Sequence, residues 1–236
     1  MKRKALGQHY LVDEAVALDM VAAARISPGE RVLEVGTGRG ALTKYLVGLS
    51  DSYDGYEVDR ANYEQTLAVT GASRARVHLE DAFGRGRRFD VLVASLPYSQ
   101  SSRFVEWLAV LEFRRAIVLL QEDFVRKVTA PPGSRDYRGV SALAQTAFEV
   151  RVISRVSRAS FSPRPKVASL LVSISQKVRL SDSEVGGIKR LFTVRRKRVS
   201  TATATLGIKS KEDYGERRVY SLTPDEILSL LSASSR

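Results

Sequence analysis

The chain has 236 residues, 44% of them hydrophobic, which is enough for one full domain and a smaller one and excludes an intrinsically disordered chain. It has no cysteine and two histidines, which excludes disulfides, cysteine-ligated metals, His-rich metal sites and a thiol nucleophile. The net charge is +12, and residues 151–178 hold six basic and no acidic side chains, so a polyanion is expected to bind the last third of the chain.

Strand and helix patterns alternate along the first 120 residues. Helices are predicted at 13–25, 41–49, 61–69 and 101–111. Strands are predicted at 31–35, 52–57, 76–80, 89–94 and 115–120. This alternation is typical of a parallel sheet with helices on both faces.

The pattern changes after residue 149. Two strands, predicted at 149–156 and 167–174, follow one another without a helix, which indicates an antiparallel pair at one edge of the sheet. Beyond Lys177 the chain is predicted to be helical, at 183–194 and 224–231, with a Thr/Ala-rich piece between these helices. We therefore predict an α/β domain over residues 1–178 and a small helical domain over residues 179–236.

A glycine-rich turn follows the first predicted strand of the sheet. The sequence is Glu34-Val35-Gly36-Thr37-Gly38-Arg39-Gly40. Glycines at a strand end let backbone amides approach a ligand closely. The G-x-G-x-G spacing differs from that of dinucleotide sites, and an acid before the turn is typical of enzymes that bind S-adenosylmethionine (SAM), whose ammonium group an acid can hold. A bare strand-to-helix turn and a dinucleotide site remain alternatives.

Two further acids follow the next strands. Glu57, with Val58 after it, ends the second strand, where a carboxylate can accept hydrogen bonds from both ribose hydroxyls of an adenosyl group. Asp81, with Ala82 after it, follows the third strand and can accept from an adenine amino group. A loop-capping role for Asp81 is the alternative.

The segment Ser95-Leu96-Pro97-Tyr98 follows the fourth strand. An exocyclic adenine amine is a poor nucleophile because its lone pair is delocalised into the ring. Acceptors aimed at its hydrogens free that lone pair, and an aromatic side chain can stack on the flipped-out base. The segment resembles the tetrapeptide of amino-directed methyltransferases, most often N/D-P-P-Y or N-L-P-Y. The resemblance indicates an enzyme of this kind, whose reaction needs no covalent nucleophile.

Several segments together resemble the ribosomal RNA adenine dimethyltransferase family, which is related to the erythromycin-resistance rRNA methyltransferases. Leu6-Gly7-Gln8-His9-Tyr10-Leu11 is similar to the family's N-terminal G-Q-x-F-L segment. The segment from Phe161 to Ser169 is similar to its F-x-P-x-P-x-V-x-S signature, and Arg195-Arg196-Lys197 to a segment of its helical domain. The resemblance extends over essentially the whole chain.

The resemblance implies a Rossmann-like class I SAM-dependent methyltransferase with a seven-stranded sheet, an antiparallel edge pair and a small C-terminal helical domain. It implies dimethylation of two adjacent adenosines near the 3′ end of small-subunit rRNA, within a pre-ribosomal particle. The implied cofactor-binding residues are Gln8, His9, Leu11, Glu34, Gly36, Gly38, Glu57, Val58, Asp81, Ala82 and Ser95. The implied catalytic residues are Ser95, Leu96, Pro97 and Tyr98. The implied RNA-binding residues are Phe161, Arg164, Lys166, Arg195, Arg196, Lys197 and Arg198.

One departure from the family concerns Ser95, where the family usually has Asn. Serine offers a hydroxyl nearer the backbone in place of a carbonyl oxygen on a longer arm. A catalytically weak or inactive ribosome-assembly factor is therefore the main alternative, and a DNA or transfer-RNA methyltransferase is another.

The remaining expectations concern location and assembly. No apolar run reaches the roughly 18 residues of a membrane span, and the basic N-terminus lacks the apolar stretch of a secretory signal. We expect a cytoplasmic, monomeric protein that binds neither a membrane nor a metal.

Overall fold

The computed structural model describes residues 8–71, 76–210 and 212–232. The start of the N-terminal motif, Leu6 and Gly7, lies outside the described residues. The described part of the chain divides into two compact units. The first contains the residues up to Ser101 with Glu112–Glu122 and Val150–Gln176, and the second contains Ser102–Leu111, Asp123–Glu149 and the residues from Lys177 onward. A division into compact units does not show which part of the chain folds on its own. The predicted domains, residues 1–178 and 179–236, therefore stay a prediction.

The described residues form nine strands, of which seven make one sheet and two make a short antiparallel ribbon. The strands are β1 Tyr10–Leu11, β2 Arg31–Val35, β3 Ser52–Glu57, β4 Arg76–Leu79, β5 Val91–Ser95, β6 Arg115–Gln121, β7 Phe148–Val156, β8 Phe161–Ser162 and β9 Ser169–Gln176. The α-helices are α1 Glu14–Ala24, α2 Thr43–Leu46, α3 Arg60–Thr70, α4 Ser101–Ala109, α5 Glu122–Val128, α6 Gly139–Ala147, α7 Asp182–Thr193, α8 Val199–Leu206 and α9 Pro224–Ser232.

The large sheet has the order β4-β3-β2-β5-β6-β9-β7. Strands β4, β3, β2, β5 and β6 run parallel to one another, and β9 runs antiparallel to β6. The predicted α/β class, the seven strands and the placement of the last two strands at one edge are confirmed. Because parallel strands end at the same edge, the loops after β2, β3 and β5 lie side by side there.

The core of the first unit contains apolar side chains from the inner strands, α1 and α2. Val32 of β2, Val93 of β5 and Ile117 of β6 belong to it, and each is at most 2% exposed. The near-continuous apolar β5 and β6 are typical of strands covered on both faces. The core thus anchors the strands whose ends carry the candidate site.

One helix prediction differs from the structure, and two helices were missed. The helix predicted at 41–49 is reduced to α2, Thr43–Leu46, because its flanks form turns. Helices α5 and α6 were not predicted at all. Helix α6 begins without a conventional cap: the backbone N–H of Arg138 donates to the Ser141 hydroxyl at 2.9 Å.

The second unit is helical, and its last helix starts as the sequence predicts. Thr223 caps α9, since its hydroxyl accepts from the backbone N–H of Glu226 at 3.3 Å while the Glu226 carboxylate accepts from the N–H of Thr223 at 2.8 Å. Arg217 also binds this carboxylate and lowers the pKa of Glu226 to about 2. None of the described helices is long and apolar enough to cross a membrane.

Candidate active site

The glycine turn after β2 adopts a conformation that favours glycine. Gly36 and Gly38 have φ angles of +75° and +57°. The Gly36 N–H donates to the Tyr56 carbonyl at 2.8 Å, and the Gly38 N–H donates to the Glu57 carboxylate at 2.9 Å. Among the described residues other than its two chain neighbours, no atom lies within 4 Å of a Cβ built on Gly36, so the turn leaves open space beside the backbone. The turn therefore has the shape of a cradle for a small ligand.

Glu57 is the acceptor that organises this edge of the sheet. One carboxylate oxygen accepts from the N–H groups of Val58 and Asp59, both at 2.8 Å, and the other accepts from Gly38. The residue is 4% exposed, and burial raises the pKa of its carboxyl despite these three donors. A carboxylate has about four acceptor sites, so the oxygen facing Gly38 keeps capacity for a ligand hydroxyl.

Glu34 lies deeper in the same part of the sheet, 1% exposed. Its Oε2 accepts hydrogen bonds from the hydroxyls of Thr43 at 2.8 Å and Tyr53 at 2.5 Å, while its buried Oε1 has no hydrogen-bond partner in the part of the chain that the structure describes. Burial raises the pKa of the Glu34 carboxyl to about 7. An unpartnered buried carboxylate oxygen is costly unless a donor arrives, so the residue is suited to a cationic ligand group.

The loop after β4 places Asp81 on the surface. Its carboxylate accepts from the N–H of Phe83 at 2.9 Å, which is the loop-capping arrangement weighed as the alternative. Ala82 beside it is buried. Arg87 lies over the Tyr56 ring, 4.1 Å from its centroid, and donates to the carbonyl of Asp81 at 3.2 Å. The role of Asp81 and Ala82 toward adenine stays a prediction.

The N-terminal segment lies over the glycine turn through Tyr10. The Tyr10 hydroxyl donates to Gln8 at 2.7 Å and accepts from the amide of Asn62 at 3.2 Å. Its ring carries the Arg39 guanidinium at 4.2 Å, and a Cβ on Gly38 would lie 3.5 Å from it. Sequence reasoning selected Gln8 but not Tyr10 or Asn62. Their contact joins residues 52 positions apart, and no local pattern signals it.

The same segment is anchored by the ribbon of β1 and β8. Leu11 pairs with Phe161, and both side chains are buried in the core of the first unit, at 7% and 5% exposure. Asp13 caps α1 and also accepts from the Ser160 hydroxyl at 2.8 Å. Leu11 and Phe161 therefore hold the segment in place in this structure. A direct contact of either with cofactor or base stays a prediction.

The Ser95-Leu96-Pro97-Tyr98 segment continues from the end of β5. Ser95 is the last residue of that strand, and Tyr98 begins a short 3₁₀ turn. The Tyr98 hydroxyl lies 2.8 Å from the Ser169 hydroxyl, and burial raises the pKa of the half-buried Tyr98. The four residues thus lie at the same sheet edge as the glycine turn and Glu57.

His9 lies beside Tyr98. The two ring centroids are 5.4 Å apart, and the His9 Nδ1 is 2.6 Å from the Pro163 carbonyl. Because a carbonyl oxygen only accepts, the hydrogen lies on Nδ1. The imidazole therefore joins the N-terminal segment to the segment after β8, next to the candidate base-stacking ring.

The predicted RNA-binding cations lie in both units. Arg164 and Lys166 are exposed in the first unit. In the second unit, Arg195 is partly buried, 3.4 Å from the Tyr137 carbonyl, and Arg198 forms a 2.5 Å ion pair with Glu216. Arg196 and Lys197 are exposed. Contact of any of these residues with RNA stays a prediction. Among the described residues, no group of acids and histidines is arranged to hold a metal ion.

The chain is similar to known proteins both in sequence and in fold. A family model described as ribosomal RNA adenine dimethylase matches residues 1–223. A probable ribosomal RNA small subunit methyltransferase A of Pyrococcus abyssi is 33% identical over 236 residues, covering 94% of this chain and 88% of the relative. A ribosomal RNA small subunit methyltransferase A of Thermotoga maritima is 30% identical over 240 residues, covering 97% and 84%.

The solved structures support the fold. A dimethyladenosine transferase from Plasmodium falciparum superposes with a TM-score of 0.78 at 22% identity, over 94% of this chain and 96% of that one. The 23S rRNA methyltransferase ErmE superposes with a TM-score of 0.64 at 21% identity, over 96% and 100%. The sheet and the C-terminal helices of this chain are thus similar to those of methyltransferases.

Proposed function

Because the chain belongs to the ribosomal RNA adenine dimethylase family, we propose that it transfers methyl groups from SAM to the exocyclic amino groups of adenosines in small-subunit ribosomal RNA. The observation that carries this proposal is the family match over residues 1–223, which includes the glycine turn, Glu57 and the Ser95-Leu96-Pro97-Tyr98 segment. The three features lie at one sheet edge, as a donor site and an acceptor site must.

The residues present fit SAM. The open space beside Gly36, next to Gly38 in the turn, suits the close approach of a ligand, and the Oε1 of Glu34, unpartnered among the described residues, suits a cationic group. We assign the methionine end to these three residues and the ribose to Glu57, with Gln8 and Tyr10 lying over the turn. SAM supplies an electrophilic methyl carbon on a sulfonium.

The chain's own residues prepare the amine. The Ser95 hydroxyl and the Leu96 carbonyl accept hydrogen bonds from the two amine hydrogens, which draws the nitrogen toward tetrahedral geometry and frees its lone pair. Tyr98 stacks on the base and holds the amine in line for attack. As the bond between the nitrogen and the methyl carbon forms, the bond between that carbon and the sulfonium sulfur breaks, and the sulfur leaves as a neutral thioether. The nitrogen then loses a proton to solvent, and no covalent bond to the protein forms.

The finer assignments belong to the same proposal. The targets are two adjacent adenosines near the 3′ end of the rRNA, each receiving two methyl groups, in a pre-ribosomal particle bound by a monomer in the cytoplasm. A polyanionic partner is supported by the six basic side chains within residues 151–178, a segment without acids, and by the exposed Arg196-Lys197 pair. Transfer of labelled methyl groups to unmethylated small-subunit particles, followed by mass spectrometry of the nucleosides, tests the proposal. Tight binding without incorporation would favour an assembly factor that has lost catalysis.

Substitution of Ser95 tests the acceptor. We expect Ser95→Asn to preserve or raise the methyl-transfer rate, since Asn carries a carbonyl acceptor on a longer arm. Ser95→Ala removes the acceptor, and we expect it to lower kcat about tenfold, the value of one hydrogen bond. Single-turnover transfer to particles measures both variants. Total loss of activity in Ser95→Asn with intact SAM binding would contradict the acceptor geometry.

Charge reversal tests the RNA surface of the second unit. We expect Arg196→Glu with Lys197→Glu to weaken RNA binding and to reduce the dependence of log affinity on log salt by about 1.4 to 1.8 for two lost phosphate contacts. SAM affinity is expected to stay unchanged. Arg126→Glu with Lys127→Glu is a matched control, because this exposed pair lies on α5, where Arg126 is 3.5 Å from Asp123. Equal salt dependence in both double variants would contradict the assignment.

A further inference from the structure

A buried serine contacts the aromatic ring assigned to base stacking. The Ser169 hydroxyl lies 2.8 Å from the Tyr98 hydroxyl, although 71 residues separate the two in the chain. Ser169 is fully buried, whereas Tyr98 is half-buried. The hydroxyl of Tyr98 is therefore held by a hydrogen bond to a buried protein side chain.

The sheet topology explains why a serine from a distant segment reaches this site. Ser169 is the first residue of β9, which runs antiparallel to β6 and pairs Ser169 with Gln121, the last residue of β6. Because β9 is antiparallel to the parallel strands of the sheet, it begins at the edge where those strands end. The Ala168 carbonyl also accepts a hydrogen bond from the N–H of Glu122 at 3.1 Å. This bond extends the pairing of the two chains by one residue beyond Ser169 and Gln121.

The anchor is therefore more rigid than a loop contact. Tyr98 lies in a short turn after β5, whereas Ser169 lies in the sheet itself. The second contact of the ring, with His9 at 5.4 Å, comes from the N-terminal segment. The hydroxyl pair is accordingly the contact that ties the ring to the sheet.

We propose that Ser169 is a positioning residue that holds the Tyr98 ring in the orientation required for stacking on the target adenine. The proposal rests on the function proposed above. Ser169 touches neither the base nor the glycine turn in this assignment and acts through Tyr98. Its loss therefore slows methyl transfer and leaves SAM binding intact.

Kinetics of a double-mutant cycle test the proposal. We expect Ser169→Ala and Tyr98→Phe each to lower kcat about tenfold, with unchanged KM for SAM, because each removes the same hydrogen bond. The double variant is expected to be no slower than either single variant. Ser173→Ala is the matched control, since it makes the same change four residues further along β9. This variant is expected to keep full activity. Additive losses, or an unchanged rate in Ser169→Ala, would overturn the proposal.

A second measurement needs no activity. In protein labelled with ¹³C at the tyrosine ring ε positions, we expect the Tyr98 signal, assigned by its absence in Tyr98→Phe, to shift and narrow in Ser169→Ala as the released ring reorients faster. It is expected to stay unchanged in Ser173→Ala. An unaltered Tyr98 signal in Ser169→Ala would refute the positioning role. Absence of methyl transfer by the wild-type protein would refute the proposed function instead, and the spectra would still decide the role of Ser169.

Discussion

Replacing Glu57 by alanine is expected to weaken SAM binding by on the order of 100-fold or more. The carboxylate accepts from three backbone N–H groups, those of Gly38, Val58 and Asp59, and faces the open glycine turn. Its loss removes a hydrogen bond between a ribose hydroxyl and a charged acceptor, and it also leaves the Gly38 N–H without its partner. Hydrogen bonds to charged groups are worth about 1.5–3 kcal/mol each, and about 1.4 kcal/mol corresponds to tenfold in affinity.

Calorimetric titration with SAM and with its demethylated product measures this effect. Glu57→Gln keeps the size of the side chain but turns an NH₂ group toward backbone donors, so we expect a similar loss without a cavity. Glu64→Ala is the control, because it removes an exposed carboxylate on α3 whose partner is Arg60, at 3.0 Å. Thermal unfolding of each variant reports whether the fold is intact. Affinity within twofold of wild type in a folded Glu57→Gln protein would show that the ribose lies elsewhere.

Replacing Tyr98 by alanine is expected to lower kcat/KM for the RNA substrate by roughly 100- to 1000-fold, with SAM affinity unchanged. Base stacking on an aromatic side chain is worth about 1–3 kcal/mol, and loss of alignment between amine and methyl group adds to that. The ring stands at the end of β5, between the Ser169 hydroxyl and the His9 ring. Removing it leaves the target base without a platform.

Methyl transfer under single-turnover conditions, with SAM binding measured separately, tests this prediction. Tyr98→Phe keeps the ring and is expected to retain far more activity than Tyr98→Ala. Tyr63→Ala makes the same change on α3, away from the acceptor segment, and is expected to behave as wild type. Equal activity of Tyr98→Ala and Tyr63→Ala would remove Tyr98 from the acceptor site.

The sequence predicted the parts of the site that are local in the chain. The alternation of strands and helices indicated the sheet, and the positions of Glu34, Glu57 and Ser95 at or near strand ends indicated one edge for all of them. This succeeds because strand ends in a parallel sheet meet at the same edge. Helices α5 and α6 were both missed. At α6 the usual capping signal is replaced by a hydrogen bond from a backbone N–H to the Ser141 hydroxyl.

The contacts between distant segments were beyond the reach of local patterns. The contacts of Tyr10 with Asn62, Tyr53 with Glu34 and Ser169 with Tyr98 each join side chains that only the fold brings together. For Phe161, which its motif places among the RNA-binding residues, only the structure shows that the side chain is buried beside Leu11.

By itself the sequence determined the fold class, the glycine turn and the order of the candidate donor and acceptor segments, because these follow from residue type and spacing along the chain. Only the tertiary structure decided which side chains are left to meet a ligand and which are held by the protein. Burial and hydrogen-bond partners depend on strand order and direction, above all on the reversal of β9 that brings Ser169 to Tyr98.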